Sequence, residues 1–263
     1  MKELNLQKLK TKYSEGEQVQ YYLQTATEEI HLNQFLDKSI RFEYTGEINC
    51  SACDRKSKKS FGQGHCFPCF RSLARCDMCL MKPETCHYDA GTCREPEWGE
   101  SNCLIPHTVY LANSSGLKVG ITRGLEPIGR WLDQGAVAAI PLATVPKRLD
   151  AGTVEMALKE HVADKTNWRV MLRGEAPEVD LLEARNRLSQ YIPESVDAKV
   201  SQEDIVNIEY PVLEFPTKIK SFNFDKDPVV EGVLKGIKGQ YLIFDQAVIN
   251  IRKFTGYKVK INF

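Results

Sequence analysis

No apolar run in this chain is long enough to cross a bilayer. Its longest weakly polar stretch, Ala136 to Val145, is about half of the roughly 20 residues that a spanning helix needs, and the opening MKELNLQKLK has no apolar h-region. The reading is therefore a soluble, untargeted, cytoplasmic protein with no membrane partner. Cysteine is missing everywhere except between Cys50 and Cys103, where all nine fall. A disulfide framework needs a secretory route and spreads its bridges over the chain, so this clustering points to metal instead. There is no Walker loop, no dinucleotide fingerprint and no Gly-x-Ser-x-Gly elbow, which argues against nucleotide hydrolysis, hydride transfer and serine-hydrolase chemistry. Repeats and low-complexity tracts are lacking too. So is net charge, with 35 Lys and Arg against 35 Asp and Glu, which argues against electrostatic binding by the protein as a whole. The balance is uneven locally: Lys218 to Lys260 holds nine basic residues to four acidic, and Arg173 to Glu214 four to ten.

What is present is a set of cysteine pairs. Cys50-x2-Cys53 and Cys66-x2-Cys69 lie twelve residues apart, the spacing of a four-thiolate zinc site made from two tight knuckles. Such a site places each sulfur about 2.3 Å from a tetrahedral ion and leaves no open position, so its role is structural. A second site draws on Cys76-x2-Cys79, Cys86, His87, Cys93, Cys103 and His107. Cys76, Cys79, Cys86 and Cys93 close the smallest loops and are the favoured set, with Cys103 or His107 as replacements for one of them. Two structural Zn²⁺ ions are thus expected; an iron–sulfur cluster is the alternative that four thiolates also fit. Between the first two pairs, Arg55-Lys-Ser-Lys-Lys59 with Phe61, His65 and Phe67 offers cations for phosphates and aromatic faces for unstacked bases.

The pattern predicts an α+β chain in five parts. Residues 1–49 alternate apolar with polar residues as half-buried strands do, and 50–107 form the metal-binding segment. Residues 108–174 read as β-β-α-β-α: strands at Val109–Ala112 and Leu117–Thr122 around an Asn113-Ser-Ser-Gly116 turn, a short helix at Glu126–Gln134, a strand at Ala138–Val145 and a helix at Thr153–Ala163. That last helix puts Val154, Ala157, Leu158, His161 and Val162 on one face, which makes His161 a partly buried, hydrogen-bonded imidazole. An acidic helical connector covers 175–209, and 210–263 is β-rich and basic.

Val109-Tyr110-Leu111, Lys118-Val119-Gly120, Arg130 and Glu155 resemble the GIY-YIG nuclease superfamily over residues 108–167, in its divergent branches. The resemblance implies a phosphodiester-cleaving site in which Tyr110 is the first-motif tyrosine, Arg130 steadies phosphate, Glu155 ligates Mg²⁺ or Mn²⁺, and Asn167 stands near the end of the site. Val119 occupies the place of the second tyrosine. Longer runs, Val109 to Arg123, Asp164-Lys-Thr-Asn-Trp-Arg169 and Gly236-Ile-Lys-Gly-Gln-Tyr-Leu242, resemble a family of bacterial proteins defined only as a domain of unknown function. Two functions follow from these readings. One is a zinc-stabilised nucleic-acid-binding protein with a divalent-cation-dependent nuclease site. The other is a non-enzymatic RNA- or protein-binding zinc adaptor, whose basic C-terminal strands present Phe222, Phe224, Tyr241 and Tyr257 to bases.

Overall fold

The computed structural model describes residues 2–263. It begins with β1 (Lys2–Asn5), β2 (Lys10–Lys12), β3 (Gln20–Gln24), β4 (Glu29–His31) and β5 (Ser39–Ile48). Helices α1 (Phe67–Ser72) and α2 (Pro96–Asn102) follow, separated by single 3-10 turns. Next come β6 (His107–Asn113), β7 (Leu117–Arg123), α3 (Ile128–Asp133), β8 (Ala138–Val145), α4 (Arg148–Leu158), α5 (Trp168–Arg173) and α6 (Leu181–Ser189). The chain ends with β9 (Lys199–Val200), β10 (Val206–Asn207), β11 (Val229–Lys238), β12 (Tyr241–Phe244), β13 (Val248–Asn250) and β14 (Tyr257–Asn262). The class is α+β, and no helix among the described residues is long and apolar enough to cross a membrane.

The contacts divide into two units. The first takes residues 2–71, Leu172–Gly174 and Glu209–Phe263. Its main sheet is antiparallel in the order β1-β14-β5-β11-β12-β13, so strands from both ends of the sequence share it, and β5 lies between two strands from the C-terminal part. β5 holds that place because it alternates: Ile40 and Phe42 are buried, while Arg41 and Glu43 face outward and Arg41 reaches Glu231 of β11 at 2.6 Å. A second sheet, β2-β3-β4, completes this unit. Phe224 and Tyr257 do not present open faces for bases. Both are buried, and they pack with Tyr44 and Phe254 in an aromatic cluster.

The second unit takes Ser72–Met171 and Glu175–Ile208. β6 and β7 form an antiparallel hairpin whose Asn113 side chain accepts the Gly116 N–H at 3.1 Å, and β8 carries β9 and β10 on its two sides. Val109, Leu111 and Val119 of the hairpin, Ile140 and Leu142 of β8, and Val154 and Leu158 of α4 share one core. α6 closes over it, started by Asp180, whose carboxylate accepts the Glu183 N–H at 2.9 Å. The order through α4 is β-β-α-β-α, but α4 runs five residues earlier than the apolar spacing predicts, starting at Arg148 and stopping at Leu158. Val162 packs on the core from the turn beyond, which extends the helical period past the helix. His161 is consequently exposed, stacked on Tyr191 at 3.7 Å, rather than part of an apolar helix face.

Candidate functional site

Cys50 lies two residues beyond β5, and the turn after it is tight: Cys50 N–H donates to Arg55 O, Asp54 N–H donates to Cys50 O, and Asp54 takes φ 56°. Cys66 and Cys69 sit where α1 begins, with Phe70 N–H on Cys66 O. The two turns bring the sulfurs of Cys50, Cys53, Cys66 and Cys69 within 4.8 Å of one another. Cys53 Sγ and Cys66 Sγ are 3.8 Å apart. A tetrahedron with bonds of about 2.3 Å has edges of roughly 3.8 Å, so this spacing fits one ion held by thiolates. Burial works against ionising Cys50, but backbone amides of Cys66, Ala52 and Cys53 aim at its sulfur and pull the thiol down to about 6. Cys69 is pushed up to about 12, first by the hydrogen bonds its thiol makes to Cys53 and Cys66 and then by burial, as crowded thiols are when nothing neutralises them. This cluster can hold a metal ion.

The remaining cysteines lie in the second unit. Asp77, Cys79 and His87 place ligand atoms within 4.8 Å of one another. Cys79, Cys86, Cys93 and Cys103 line one small cavity, and Cys76 does not line it.

A polar cluster occupies the buried face of the β6–β7 hairpin opposite Val109, Leu111 and Val119. Antiparallel register pairs Tyr110 with Gly120 and Ala112 with Lys118, so Tyr110, Lys118 and Gly120 share a face while Val109, Leu111 and Val119 point into the core. Val119, which stands for the second tyrosine in the sequence pattern, is thus a core residue, and Lys118 is the side chain beside Tyr110. The Tyr110 hydroxyl and the Lys118 ammonium both donate to Gln134 Oε1, each at 3.0 Å. The phenol lies so close to the hairpin that a Cβ on Gly120 would stand 2.5 Å from Tyr110 Oη, which is why no larger residue fits there. Arg130, one helical turn before Gln134, also hydrogen-bonds the phenol. From α4, Glu155 contacts Lys159 at 3.6 Å, and Lys159 contacts Asp164 at 3.2 Å.

The charges of this cluster act on one another. Burial, and then Arg130, bring the Lys118 ammonium down to about 8, against the pull of Glu155 and Asp164. Burial raises the Glu155 carboxyl and Asp164 raises it further, while Lys159 and Lys118 oppose. Burial also raises the Tyr110 phenol, which is fully enclosed. Arg130 thus hydrogen-bonds Tyr110, while Glu155 acts on Tyr110 and Lys118 through its charge and pairs with Lys159. Asn167 is engaged elsewhere: its Oδ1 accepts the N–H groups of Arg169 and Val170 and so starts α5. Gln134 belongs to the cluster and was not singled out from sequence, while Lys118 and Asp164 were quoted there only within longer motifs and given no role of their own. The signal for Lys118 was a lone cation inside a hairpin whose neighbours are apolar or glycine.

No curated protein and no solved structure matches the chain. One family model covers residues 37–259, which takes in the cysteine cluster, the hairpin and the sheet from β5 to β14. The chain belongs to that family, the proteins of unknown function grouped as DUF2797.

Proposed function

We propose that this is a zinc-stabilised nucleic-acid-binding protein whose second unit cleaves phosphodiester bonds with the help of a divalent cation. The observation that carries the reading is the hydrogen-bonded frame of Tyr110, Lys118, Arg130 and Gln134 on the hairpin face, with the Glu155 carboxyl close enough for its charge to act on Tyr110 and Lys118. Arg130 has the planar fork that grips two phosphate oxygens at once. Lys118, almost as deeply buried as Tyr110, supplies a fixed positive charge that holds Gln134 and adds to the field of Arg130. Tyr110 is enclosed, so its part is to hold Arg130 and Gln134 in place rather than to meet substrate. Glu155, with Asp164 one lysine away, would hold Mg²⁺ or Mn²⁺, whose charge would neutralise the phosphate oxygens in the transition state. The raised Glu155 carboxyl is consistent with this, because a buried carboxylate regains its charge when a cation joins it.

The four thiolates of Cys50, Cys53, Cys66 and Cys69 form a closed shell, which suits zinc as a staple and leaves it out of the reaction. Two-residue knuckles of this kind favour zinc over an iron–sulfur cluster, and elemental analysis of untagged protein separates the two. The test of the activity is Glu155→Gln, which keeps size and helix propensity while removing charge. Cleavage of an oligonucleotide in Mg²⁺ or Mn²⁺ is expected to fall about a hundredfold or more, with oligonucleotide binding and bound zinc retained. A variant that cuts at the parent rate would move the active site elsewhere. A parent that binds oligonucleotides in a salt-dependent way but never cuts them, whichever cation is supplied, would replace the nuclease by the adaptor.

A further inference from the structure

We infer that Asp77, Cys79 and His87 hold a zinc ion through one oxygen, one sulfur and one nitrogen, with a fourth position left for water. Among the described residues only two groups of three or more Cys, His, Asp or Glu bring their ligand atoms within 4.8 Å of one another, the four thiols after β5 and this one. The local chain makes the gathering. Asp77 starts the 3-10 turn Met78–Leu80 by accepting the Met78 N–H on Oδ1 at 2.6 Å, so its carboxylate and the Cys79 sulfur come from the same turn. His87 comes from the loop after the turn at Pro83–Thr85. All three residues line one cavity of about 20 Å³, which has room for one water.

The hydrogen bonds around His87 supply the second, independent observation. Thr92 Oγ1 donates to His87 O at 3.3 Å and lies 2.8 Å from the ring's Nδ1, so it is left to accept the Nδ1–H. That tautomer turns a lone pair on Nε2 toward Asp77 Oδ2, 3.5 Å away. Two acceptors that face each other repel unless a cation lies between them. A proton does not fit, because an imidazolium would draw the carboxylate in to about 2.7–2.9 Å. A metal does fit. Nitrogen and oxygen ligands bonded at about 2.0–2.2 Å in a tetrahedron stand roughly 3.4 Å apart.

Arg94 Nε also donates to Asp77 Oδ2, at 2.6 Å. A carboxylate oxygen has two lone pairs, so one can take the guanidinium while the other takes the ion, and the arginine then fixes the orientation of the ligand. The charges agree as well: one thiolate and one carboxylate cancel the two charges of Zn²⁺, which leaves Arg94 beside a neutral centre. Sulfur and imidazole nitrogen select zinc over Mg²⁺ or Ca²⁺, which take oxygen ligands. Of the four cysteines that spacing favours for a second ion, this centre uses Cys79 alone. Unlike the closed four-thiolate shell, three protein ligands leave zinc a position where water or a small anion can bind. The assignment stands whether or not the second unit is a nuclease, since it rests on no residue of the hairpin cluster.

The experiment is zinc counting on the full-length protein, with histidine mapping on the unmutated chain. About two zinc ions per chain are expected, falling to about one in Cys79→Ser and in His87→Gln and staying at about two in Cys76→Ser and Cys93→Ser. Diethyl pyrocarbonate labelling, read by mass spectrometry, is expected to spare His87 in the zinc-loaded protein and to reach it once a chelator is added, with the exposed His161 labelled throughout. This second measurement needs no variant to fold. In cobalt(II)-substituted protein, added azide is expected to shift the visible bands of one ion, and bands indifferent to azide would remove the open position. A single zinc in the parent, loss of the second ion in Cys76→Ser or Cys93→Ser, its retention in His87→Gln, or equal labelling of His87 with and without chelator would each overturn the assignment.

Discussion

Lys118 shows how a single side chain can serve the cluster at the expense of the fold. It is almost wholly buried, and its ammonium is brought down to about 8, well below the usual lysine value of 10.5. The unfolded chain therefore holds the proton more tightly than the folded one between those values. The charge penalty on folding is complete below pH 8, fades as pH rises to 10.5, and vanishes above it. Lys118→Met is expected to be more stable than the parent by about 2 kcal/mol at pH 7, with the gap closing by pH 10.5, and to lose whatever cleavage the parent shows. Paired denaturant titrations at the two pH values check this; a gap independent of pH would mean that folding leaves the Lys118 ammonium unshifted. The Cys50, Cys53, Cys66 and Cys69 cluster was legible from spacing, because two-residue loops force their sulfurs together. The role of Lys118, quoted only as part of a motif, and the presence of Gln134 were not, because a strand lysine and a polar residue past a helix end show no role until register and packing face them inward.

At the scale of elements, α4 is fixed more tightly than its length implies. Gly152 lies against the turn at Pro83–Thr85: a Cβ there would stand 2.6 Å from both Glu84 N and Pro83 Cβ. In an open helix, Gly→Ala stabilises by about 1 kcal/mol. Here the clash is with backbone that cannot give, which costs about 1–3 kcal/mol and decides the sign. Gly152→Ala should therefore lower the unfolding midpoint, while Gly129→Ala in α3, where nothing lies within 4 Å, should raise it. Equal gains for both would mean that α4 does not rest on the cysteine-rich turns. The hairpin and β8 were visible in the sequence, since strand alternation and an Asn-Ser-Ser-Gly turn are local signals. The start of α4 was not, because its first turn is chosen by what Arg148 and Gly152 touch, and those partners are far away in sequence.

At the scale of the molecule, the six-stranded sheet depends on its last strand. β14 lies between β1 and β5, so removing Tyr257–Phe263 detaches β1 and bares one side of β5. Hydrogen exchange on the truncated chain is expected to show lost protection in β1, β5 and β11 with protection retained in β6, β8 and α4. Loss spread evenly over both groups would deny the division into two units. Alternation marked both ends of the chain as β, but nothing local says that strands more than two hundred residues apart will pair. That pairing also sets a timetable during synthesis. The second unit is complete once residue 208 has been made, whereas the first must wait for residues 209–263, roughly 3 to 11 seconds at common elongation rates. Through that interval β5 has neither neighbour, and its buried face of Ile40 and Phe42 is open to wrong partners. The thiolate centre that begins two residues after β5 is already complete by residue 69. Early metal capture would keep the loose half of the nascent chain compact until its closing strands arrive.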